Sequence, residues 1–341
     1  MMIGSKPSDR PFLDHDIIVD RCWRIHVVIG NAHPPGEVLA YVKYVPTRRP
    51  SIWGGRLVNY ERVLKRYSAS NMRSSSSKHS TLTYDPVLGA PAPRVPLSEI
   101  REWLLPEVRL REIIARPSDP VELDVVSVVD ALASAGLRPS SLGVTGSVLA
   151  GIHNVRYSDI NMVVYGCKDA LEAVEAIPGS LPEAGKDVLL KRVLGKARML
   201  GLPPEVIRKV YPAFECRAVG GRPVGFTFVN PIGERYGRYC LKPLAVCEAL
   251  IEVEGGSCST LYYPSIADVT RVLEVRGPEQ ARQLVKSYGL RWVMSFEGLF
   301  RGVLFEGGRL LVRGVLEMRV PEERLVLLVG GFEEPGFVIK A

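Results

Sequence analysis

Long apolar runs are absent from this sequence. No stretch approaches the roughly 20 consecutive apolar residues that a helix needs to span a bilayer, which argues against an integral membrane protein. The first residues, MMIGSKPSDRPFLDHD, also lack the apolar segment that a signal peptide requires. We therefore expect a cytoplasmic protein that has no membrane partner.

Cysteine is scarce and scattered. No Cys-x-x-Cys pair occurs and no histidine stands at zinc-finger spacing, which argues against a structural zinc site. Two states stay open for the thiols. They are buried and free, or they form intracellular disulfides of the kind found in thermophiles, whose composition this chain resembles. The six residues are Cys22, Cys167, Cys216, Cys240, Cys247 and Cys258.

Several catalytic and phosphate-binding motifs are missing as well. The sequence has no Gly-x-Ser-x-Gly, the turn that carries the nucleophile of many hydrolases. Its glycine-rich stretches lack the Gly-Lys-Ser of P-loops and the Gly-x-Gly-x-x-Gly of dinucleotide-binding folds. These enzyme classes can be set aside.

Acidic residues are fewer than basic ones, with 37 Asp and Glu against 44 Lys and Arg. The basic residues concentrate between Arg48 and Arg73, where Trp53, Tyr60 and Tyr67 are interleaved with them. Cations with aromatic rings suit a surface that binds RNA or DNA. A helix with a solvated basic face explains the same pattern, so both interpretations stay open.

Changes of pattern along the chain divide it into three parts. Residues 1–117 read as an N-terminal β unit with a proline-rich connector, 118–231 as a central α/β domain, and 232–341 as a β-rich barrel-like or sandwich domain. The fold class that this order predicts is α+β, with a central mixed sheet covered by helices.

Some local predictions are more specific. In the first part we expect strands over 16–30 and 36–46, a short helix over 60–67, a mobile serine-rich loop over 68–86 and a helix over 98–105.

In the central part, Val and Leu at helical spacing predict a helix over 121–136, and strands are expected over 141–145 and 159–166. Further helices are expected over 168–176, 184–200 and 204–210, followed by a hairpin over 214–229 that turns at two glycines. In the C-terminal part we expect strands over 241–254, 261–264, 291–300, 309–320, 323–331 and 336–340, and one helix over 278–289.

The segment 143–166, GVTGSVLAGIHNVRYSDINMVVYG, carries the candidate chemistry. A strand that ends in Gly146-Ser147 and turns into a helix directs backbone N–H groups and a hydroxyl at one point, where an anion is favoured. Asp159 and Asn161 alternate on the next strand, so their oxygens share a face and can reach one cation. The arrangement suits a nucleotide with Mg²⁺.

These residues resemble the nucleotidyltransferase superfamily typified by DNA polymerase beta, whose pattern is Gly-Ser, about a dozen residues, then Asp-x-Asp on a strand. Gly146, Ser147 and Asp159 match this pattern, and Ser158 directly precedes the aspartate. Less specifically, the chain is similar to uncharacterised archaeal proteins of this size that place a β unit with His-Pro-Pro-Gly before such a domain and a β region after it. That similarity covers most of the chain.

The resemblance implies a function for these positions. Gly146, Ser147 and Ser158 would contact a nucleoside triphosphate, and Asp159 would be the catalytic residue that, helped by Asn161, holds Mg²⁺. A nucleoside monophosphate would then be transferred to an acceptor hydroxyl with release of pyrophosphate.

The carboxylate set departs from the family pattern. Asn161 occupies the second carboxylate position, and the third should lie on the strand 223–229, where the inward positions are Gly225 and Thr227. Glu215, on the other strand of that hairpin, is the nearest substitute as a metal ligand. Hard cations are held largely by anionic oxygens, so the loss weakens the site. Three outcomes stay open: a working transferase, a catalytically impaired nucleotide- or nucleic-acid-binding protein, and a structural remnant.

Plainer interpretations exist for each residue of the segment. Gly146-Ser147 also fits an ordinary strand-to-helix turn, and Asp159 also fits a helix cap or a salt bridge. His153 either contacts phosphate or packs as a half-buried side chain.

Overall fold

Three separate β-sheets organise the protein in the computed structural model, which describes residues 10–54, 58–64, 78–79, 82–331 and 334–341. Eight strands form a sheet in the N-terminal part, four in the centre and six in the C-terminal part. Helices pack against the second and third sheets, and the expected α+β class is confirmed. Within the described ranges, no helix combines the length and the apolar character needed to cross a bilayer.

The N-terminal sheet is antiparallel in each of its described pairings. Successive side chains of a strand point to opposite faces, and both faces are buried: Ile17 belongs to one apolar core and Ile18 to another. The strands are β1 Ile17–Asp20, β2 Ile25–Val28, β3 Glu37–Thr47, β4 Trp53–Gly54, β5 Asn59–Arg62, β6 Leu82–Asp85, β7 Ala90–Pro96 and β8 Ile100–Leu104.

Two local predictions in this part are wrong. Most of the segment 98–105 forms strand β8 in place of a helix, because its backbone pairs with β1, which lies far away in sequence. The segment 16–30 forms two strands in place of one, since a turn between Asp20 and Arg24 reverses the chain and lets β1 pair with β2.

The basic segment also differs from its prediction. The described start of the expected helix over 60–67 belongs to strand β5, which pairs with β3 and β4. The last residues of the expected loop over 68–86 form strand β6. Most of that loop, and the end of the expected helix, lie outside the described residues.

The central sheet is mixed, in the order β11-β12-β10-β9. Strand β10 runs parallel to β12 and antiparallel to β9. The predicted helices and strands of this part are confirmed, with small differences at their ends. The elements are α1 Pro106–Ala115, α2 Pro120–Ser134, β9 Leu142–Val144, α3 Gly146–Leu149, β10 Ile160–Tyr165, α4 Cys167–Ser180, α5 Lys186–Leu200, α6 Pro204–Val210, β11 Arg217–Val219 and β12 Arg222–Val229.

Helix α2 shows why the central prediction holds. Asp119 caps the helix by accepting hydrogen bonds from the N–H groups of Val121 and Glu122, and Pro120 occupies the first helical position. Val125 and Val129, one helical turn apart, are both buried in the core that α2 shares with the sheet. Start signals and apolar spacing agree, so the local sequence specifies this helix.

In the C-terminal sheet the strand order is β13-β14-β15-β17-β16-β18, and β13 also pairs with β16, so the pairings return to the first strand. Strands β15 and β17 are parallel. The strand over 265–276 has no counterpart in the prediction, and the strand expected over 261–264 is not formed. The elements are β13 Cys240–Val253, β14 Ser265–Arg276, α7 Glu279–Tyr288, β15 Leu290–Ser295, α8 Arg301–Glu306, β16 Gly308–Val320, β17 Arg324–Val329 and β18 Phe337–Lys340.

Two features join the centre to the C-terminal part. Apolar residues of α5 and α6, among them Val193 and Ile207, belong to the core of the C-terminal sheet. Cys167, the first residue of α4, forms a disulfide with Cys258 in the turn before β14. The other four cysteines are free, so each of the two states left open by the sequence occurs in this chain.

Candidate functional site

The turn from β9 into α3 brings Gly146 against the next strand. Gly146 has φ +69°, and a Cβ atom at this position would lie 3.2 Å from Nδ2 of Asn161. The backbone N–H of Thr145 donates to the carbonyl of Asn161 over 2.8 Å. Only glycine combines this backbone conformation with so close an approach, so the turn holds Asn161 in place.

Asp159 and Asn161 lie side by side at the beginning of β10. Nδ2 of Asn161 donates to Oδ1 of Asp159 over 3.1 Å, and the Asp159 side chain is exposed. On the parallel strand β12, Gly225 is paired with Asn161 and leaves room for its amide. The predicted face with two oxygen-bearing side chains is therefore present.

Ser147 and Ser158 form a buried pair behind this face. The Ser147 hydroxyl donates to the Ser158 hydroxyl over 3.4 Å, and the Ser158 hydroxyl accepts from the N–H of Asn154 over 2.8 Å. Ser147 lines the cavity described below, whereas Ser158 does not. In this structure Ser158 supports the loop between α3 and β10.

Glu215 lies in the turn before β11, and not on a strand as its hairpin position suggests. Its Oε1 accepts from the Arg301 guanidinium over 2.6 Å. Arg301 also donates to the carbonyl of Phe226 over 2.7 Å and lies against the rings of Phe214 and Phe228. Glu215 is thus neutralised by a fixed cation, which disfavours it as a metal ligand.

A cavity of about 340 Å³ brings these residues together. Its wall contains residues from all three parts of the chain, so it lies where the three sheets approach one another. The residues singled out from the sequence that line it are Gly146, Ser147, Asp159, Asn161, Glu215, Gly225 and Thr227.

Cationic side chains line the same cavity, and none of them was identified as a site residue from the sequence. Lys43 is buried on β3, Arg62 lies on β5, and Arg192 and Lys196 lie one turn apart on α5. Lys196 donates to Glu297 over 3.3 Å. The spacing of Arg192 and Lys196 places both on one helix face, and Arg62 falls within the basic segment between Arg48 and Arg73. These are the local signals that the sequence offered.

An aspartate and a histidine pair on the N-terminal side of the cavity. Oδ2 of Asp14 lies 2.7 Å from Nδ1 of His15, and Oδ1 accepts from the N–H of Gly30 over 2.8 Å. Asp14 is 4% exposed, whereas His15 is partly open to the cavity. The hydroxyl of Thr145 donates to the carbonyl of His15 over 2.7 Å, which ties the pair to the Gly146 turn.

Two phenols of the cavity wall keep their protons. Burial raises the pKa of Tyr211, and the nearby carboxylate of Glu215 adds to the shift. Burial also raises the pKa of Tyr263, with a contribution from Asp14. Both side chains therefore stay neutral and offer O–H donors at physiological pH.

His153 pairs with Asp119 and does not line the cavity. Asp119, Glu122 and His153 are the residues of the described chain whose ligand atoms cluster closely enough to hold a metal ion. Burial opposes ionisation of Asp119, but hydrogen bonds from His153 and from the helix N–H groups outweigh it and lower its pKa. Glu122 is bound by Arg109 and by Ser118. Helix capping accounts for this cluster.

The described surface does not favour the nucleic-acid interpretation of the basic segment. Tyr60 is buried, and the Trp53 ring packs against Tyr44 at a centroid distance of 5.6 Å, so neither is free to stack on bases. Tyr67 and Arg73 lie outside the described residues.

Comparison with known proteins adds no assignment. No family model matches the chain, and no match was found among curated proteins or among solved structures.

Proposed function

We propose that the cavity binds a nucleoside triphosphate together with one Mg²⁺ ion, in the manner of a nucleotidyltransferase domain. The observation that carries the proposal is that the Gly146-Ser147 turn, Asp159 and Asn161 share one cavity with cationic side chains from separate parts of the chain. These are Lys43, Arg62, Arg192, Lys196 and Arg301, of which Lys196 and Arg301 also pair with Glu297 and Glu215. Cations suit phosphates, and a carboxylate suits the metal that accompanies them.

The oxygen donors fit one ion. Asp159 supplies an anionic oxygen, and rotation of the Asn161 amide about its terminal torsion presents a neutral oxygen beside it. Mg²⁺ usually keeps several waters and binds one or two carboxylates plus substrate phosphates, so this small set is sufficient for a metal that arrives with a nucleotide. When bound, the ion would neutralise phosphate charge and orient the triphosphate.

A second ion has no comparable support. The β12 positions that face the site are Gly225 and Thr227, and Glu215 is held by Arg301. Glu297 is likewise paired, with Lys196, and Asp14, the other carboxylate of the cavity wall, is bound by His15 and by the N–H of Gly30. The proposal is therefore limited to a one-ion complex, which differs from the two-ion site of the superfamily.

A second candidate function is nucleic-acid binding by the C-terminal part. The strand order of the C-terminal sheet is the observation that favours it. Pairings that return from β16 to β13 support a closed five-stranded barrel, and small barrels commonly bind oligonucleotides. Against this candidate, many exposed arginines of the part pair with acids, for example Arg276 with Glu274 at 2.8 Å and Arg313 with Glu334 at 3.1 Å. Such pairing weakens attraction to phosphates.

Calorimetric titration tests the nucleotide proposal. ATP, GTP, CTP and UTP are titrated into the protein with and without Mg²⁺, into the Asp159→Ala variant, and into Asp130→Ala as a control on the exposed side of α2. We expect Asp159→Ala to weaken Mg²⁺-dependent binding at least tenfold, or about 1.4 kcal/mol, and Asp130→Ala to leave it unchanged. Equal affinities in the two variants, or no binding by the unaltered protein, would contradict the proposal.

A further inference from the structure

The Asp14–His15 pair gives the cavity a group that no motif in the sequence indicates. Because Nδ1 of His15 is 2.7 Å from a carboxylate oxygen, it carries the proton and donates it to Asp14. In the neutral imidazole Nε2 is then the atom with a lone pair, and no described residue hydrogen-bonds to it. A carboxylate that orients an imidazole in this way is the arrangement that lets histidine accept a proton from a hydroxyl.

The backbone of His15 is held in an unusual conformation. His15 has φ +67°, in the left-handed region, which is uncommon for residues other than glycine although histidine adopts it more often than most. Its N–H donates to the carbonyl of Val28 over 3.1 Å, and its carbonyl accepts from the Thr145 hydroxyl over 2.7 Å. Conformations of this kind persist only where the surroundings fix them, and they are frequent at functional sites. The imidazole is thus fixed next to the Gly146 turn.

We infer that His15, oriented by Asp14, is the proton acceptor for a hydroxyl group that attacks the α-phosphorus of the bound nucleotide. The inference rests on the proposed function. The hydroxyl oxygen forms a bond to the α-phosphorus, the bond from that phosphorus to the bridging oxygen breaks, and pyrophosphate leaves with the electron pair. The hydroxyl proton passes to Nε2 and then to solvent.

As a proton acceptor, His15 compensates for the carboxylates that this site lacks relative to the family pattern. In a two-ion site the second metal lowers the pKa of the attacking hydroxyl, and the one-ion site proposed above has no such group. A positioned imidazole instead accepts the proton of the attacking hydroxyl. Such general-base catalysis typically accelerates a reaction by a factor of about 10² to 10⁴.

Other charged groups share the cavity with His15. Asp159 faces it from the centre, Lys43 and Arg62 from the N-terminal sheet, and Arg192 from α5. The remaining charges are the Glu215–Arg301 and Lys196–Glu297 ion pairs already described. A pH profile of the unaltered protein alone therefore does not identify His15, and the comparison with variants is required.

Release of pyrophosphate from each of the four nucleoside triphosphates measures the step with water as the hydroxyl donor. The assay compares the unaltered protein with His15→Gln, Asp14→Asn and His153→Gln between pH 5.5 and 9. His153→Gln is the matched control, since His153 is also paired with an aspartate, at 2.8 Å, but lies outside the cavity wall.

We expect His15→Gln to reduce the maximal rate of release about 100-fold or more across this pH range, while calorimetric affinity for Mg²⁺-ATP changes less than about threefold. Asp14→Asn should lower the rate through loss of orientation, and His153→Gln should keep both rate and profile.

Failure of the inferred role of His15 and failure of the proposed nucleotide binding give different results. Nucleotide binding without pyrophosphate release at any pH, or equal rates in His15→Gln and His153→Gln, would overturn the role of His15 and leave the binding proposal intact. Absence of binding would overturn both.

A second measurement does not depend on turnover. The chain has five histidines, so ¹⁵N NMR resolves their imidazoles, and the signal lost in His15→Gln identifies His15. We expect the Nδ1-protonated tautomer, a shift of Nε2 when Mg²⁺-ATP is added, and no shift for His153. The opposite tautomer, or an unchanged His15 signal in the complex, would contradict the inference.

Discussion

At Gly146 the left-handed backbone conformation and the nearby Asn161 side chain both require glycine. Alanine in this left-handed conformation costs roughly 1–2 kcal/mol, and its Cβ would also press on the Asn161 amide, 3.2 Å away. We predict that Gly146→Ala lowers the free energy of unfolding by roughly that amount and weakens binding of Mg²⁺-ATP about tenfold. Urea unfolding and calorimetry measure the two effects.

Gly151 provides the matched control for this prediction. It has φ +65°, but a Cβ there would meet nothing within 4 Å. Gly151→Ala should therefore show a similar loss of stability with unchanged affinity. A pair of variants with the same affinity would mean that Asn161 does not depend on the close approach of Gly146.

Glu317 is a buried carboxyl whose protonation affects stability. It is 3% exposed on β16, its Oε2 has no hydrogen-bond partner among the described residues, and burial raises its pKa to about 7. The folded protein therefore keeps a proton that the unfolded chain releases near the ordinary glutamate pKa of about 4.3. Stability contributed by this group is lost as the pH rises from there to about 7 and is constant above.

The expected effect of Glu317→Gln on stability follows from the raised pKa of Glu317 in the folded protein. Relative to the unaltered protein, the variant should gain stability at pH 8, about 4 kcal/mol at most, and gain little at pH 4. Denaturant unfolding at both pH values measures this, with the exposed Glu205→Gln as control. A gain that is equal at the two pH values would show that Glu317 is not protonated in the folded state.

On the scale of elements, the Cys167–Cys258 disulfide ties the start of α4 to the turn before β14. Its cysteines are 91 residues apart. Closing a loop of that length lowers the entropy of the unfolded chain and so stabilises the fold by about 4.6 kcal/mol in the chain-entropy description. Cys167→Ser should lower the free energy of unfolding by about this amount under non-reducing conditions. Cys22→Ser, which alters an exposed free thiol, should have no comparable effect.

Reduction provides the check on that prediction. Dithiothreitol should bring the unaltered protein to the stability of Cys167→Ser and should leave the variant unchanged. Coincident unfolding curves for the two proteins without reductant would show that the disulfide does not form in solution.

The elements that sequence analysis identified correctly are those whose signals are local. Helix α2 has its own cap and apolar spacing, and β10 is a short apolar run between polar turns. Strand β8 was predicted as a helix because its partner β1 lies about 80 residues earlier, so that only tertiary pairing reveals it. Strand β14 was missed because buried and partly exposed residues alternate among charges without a long apolar run.

On the scale of the whole molecule, the cavity is a product of three sheets. Sequence analysis identified the turn and the oxygen donors from one continuous segment, because a single strand–turn–helix–strand unit holds them. Lys43 and Arg62 enter the cavity from the N-terminal sheet, and the Asp14–His15 pair enters it from the turn before β1. Their positions depend on the packing of separate parts, which no local spacing encodes.

The same packing fixes Glu215. From its position in the hairpin it was the nearest replacement for the missing carboxylate, yet Arg301 from α8 binds it over 2.6 Å. The proposal of one ion therefore rests on a contact between the centre and the C-terminal part.

A crystal structure with a non-hydrolysable ATP analogue and Mn²⁺ in place of Mg²⁺ tests the central proposal most directly. We predict a single anomalous peak that is coordinated by Asp159 and by the triphosphate, with the phosphates against the Gly146-Ser147 turn and the basic side chains of the cavity. Two metal peaks would contradict the one-ion site, and a cavity without nucleotide in crystals grown at saturating analogue would contradict the proposed function itself.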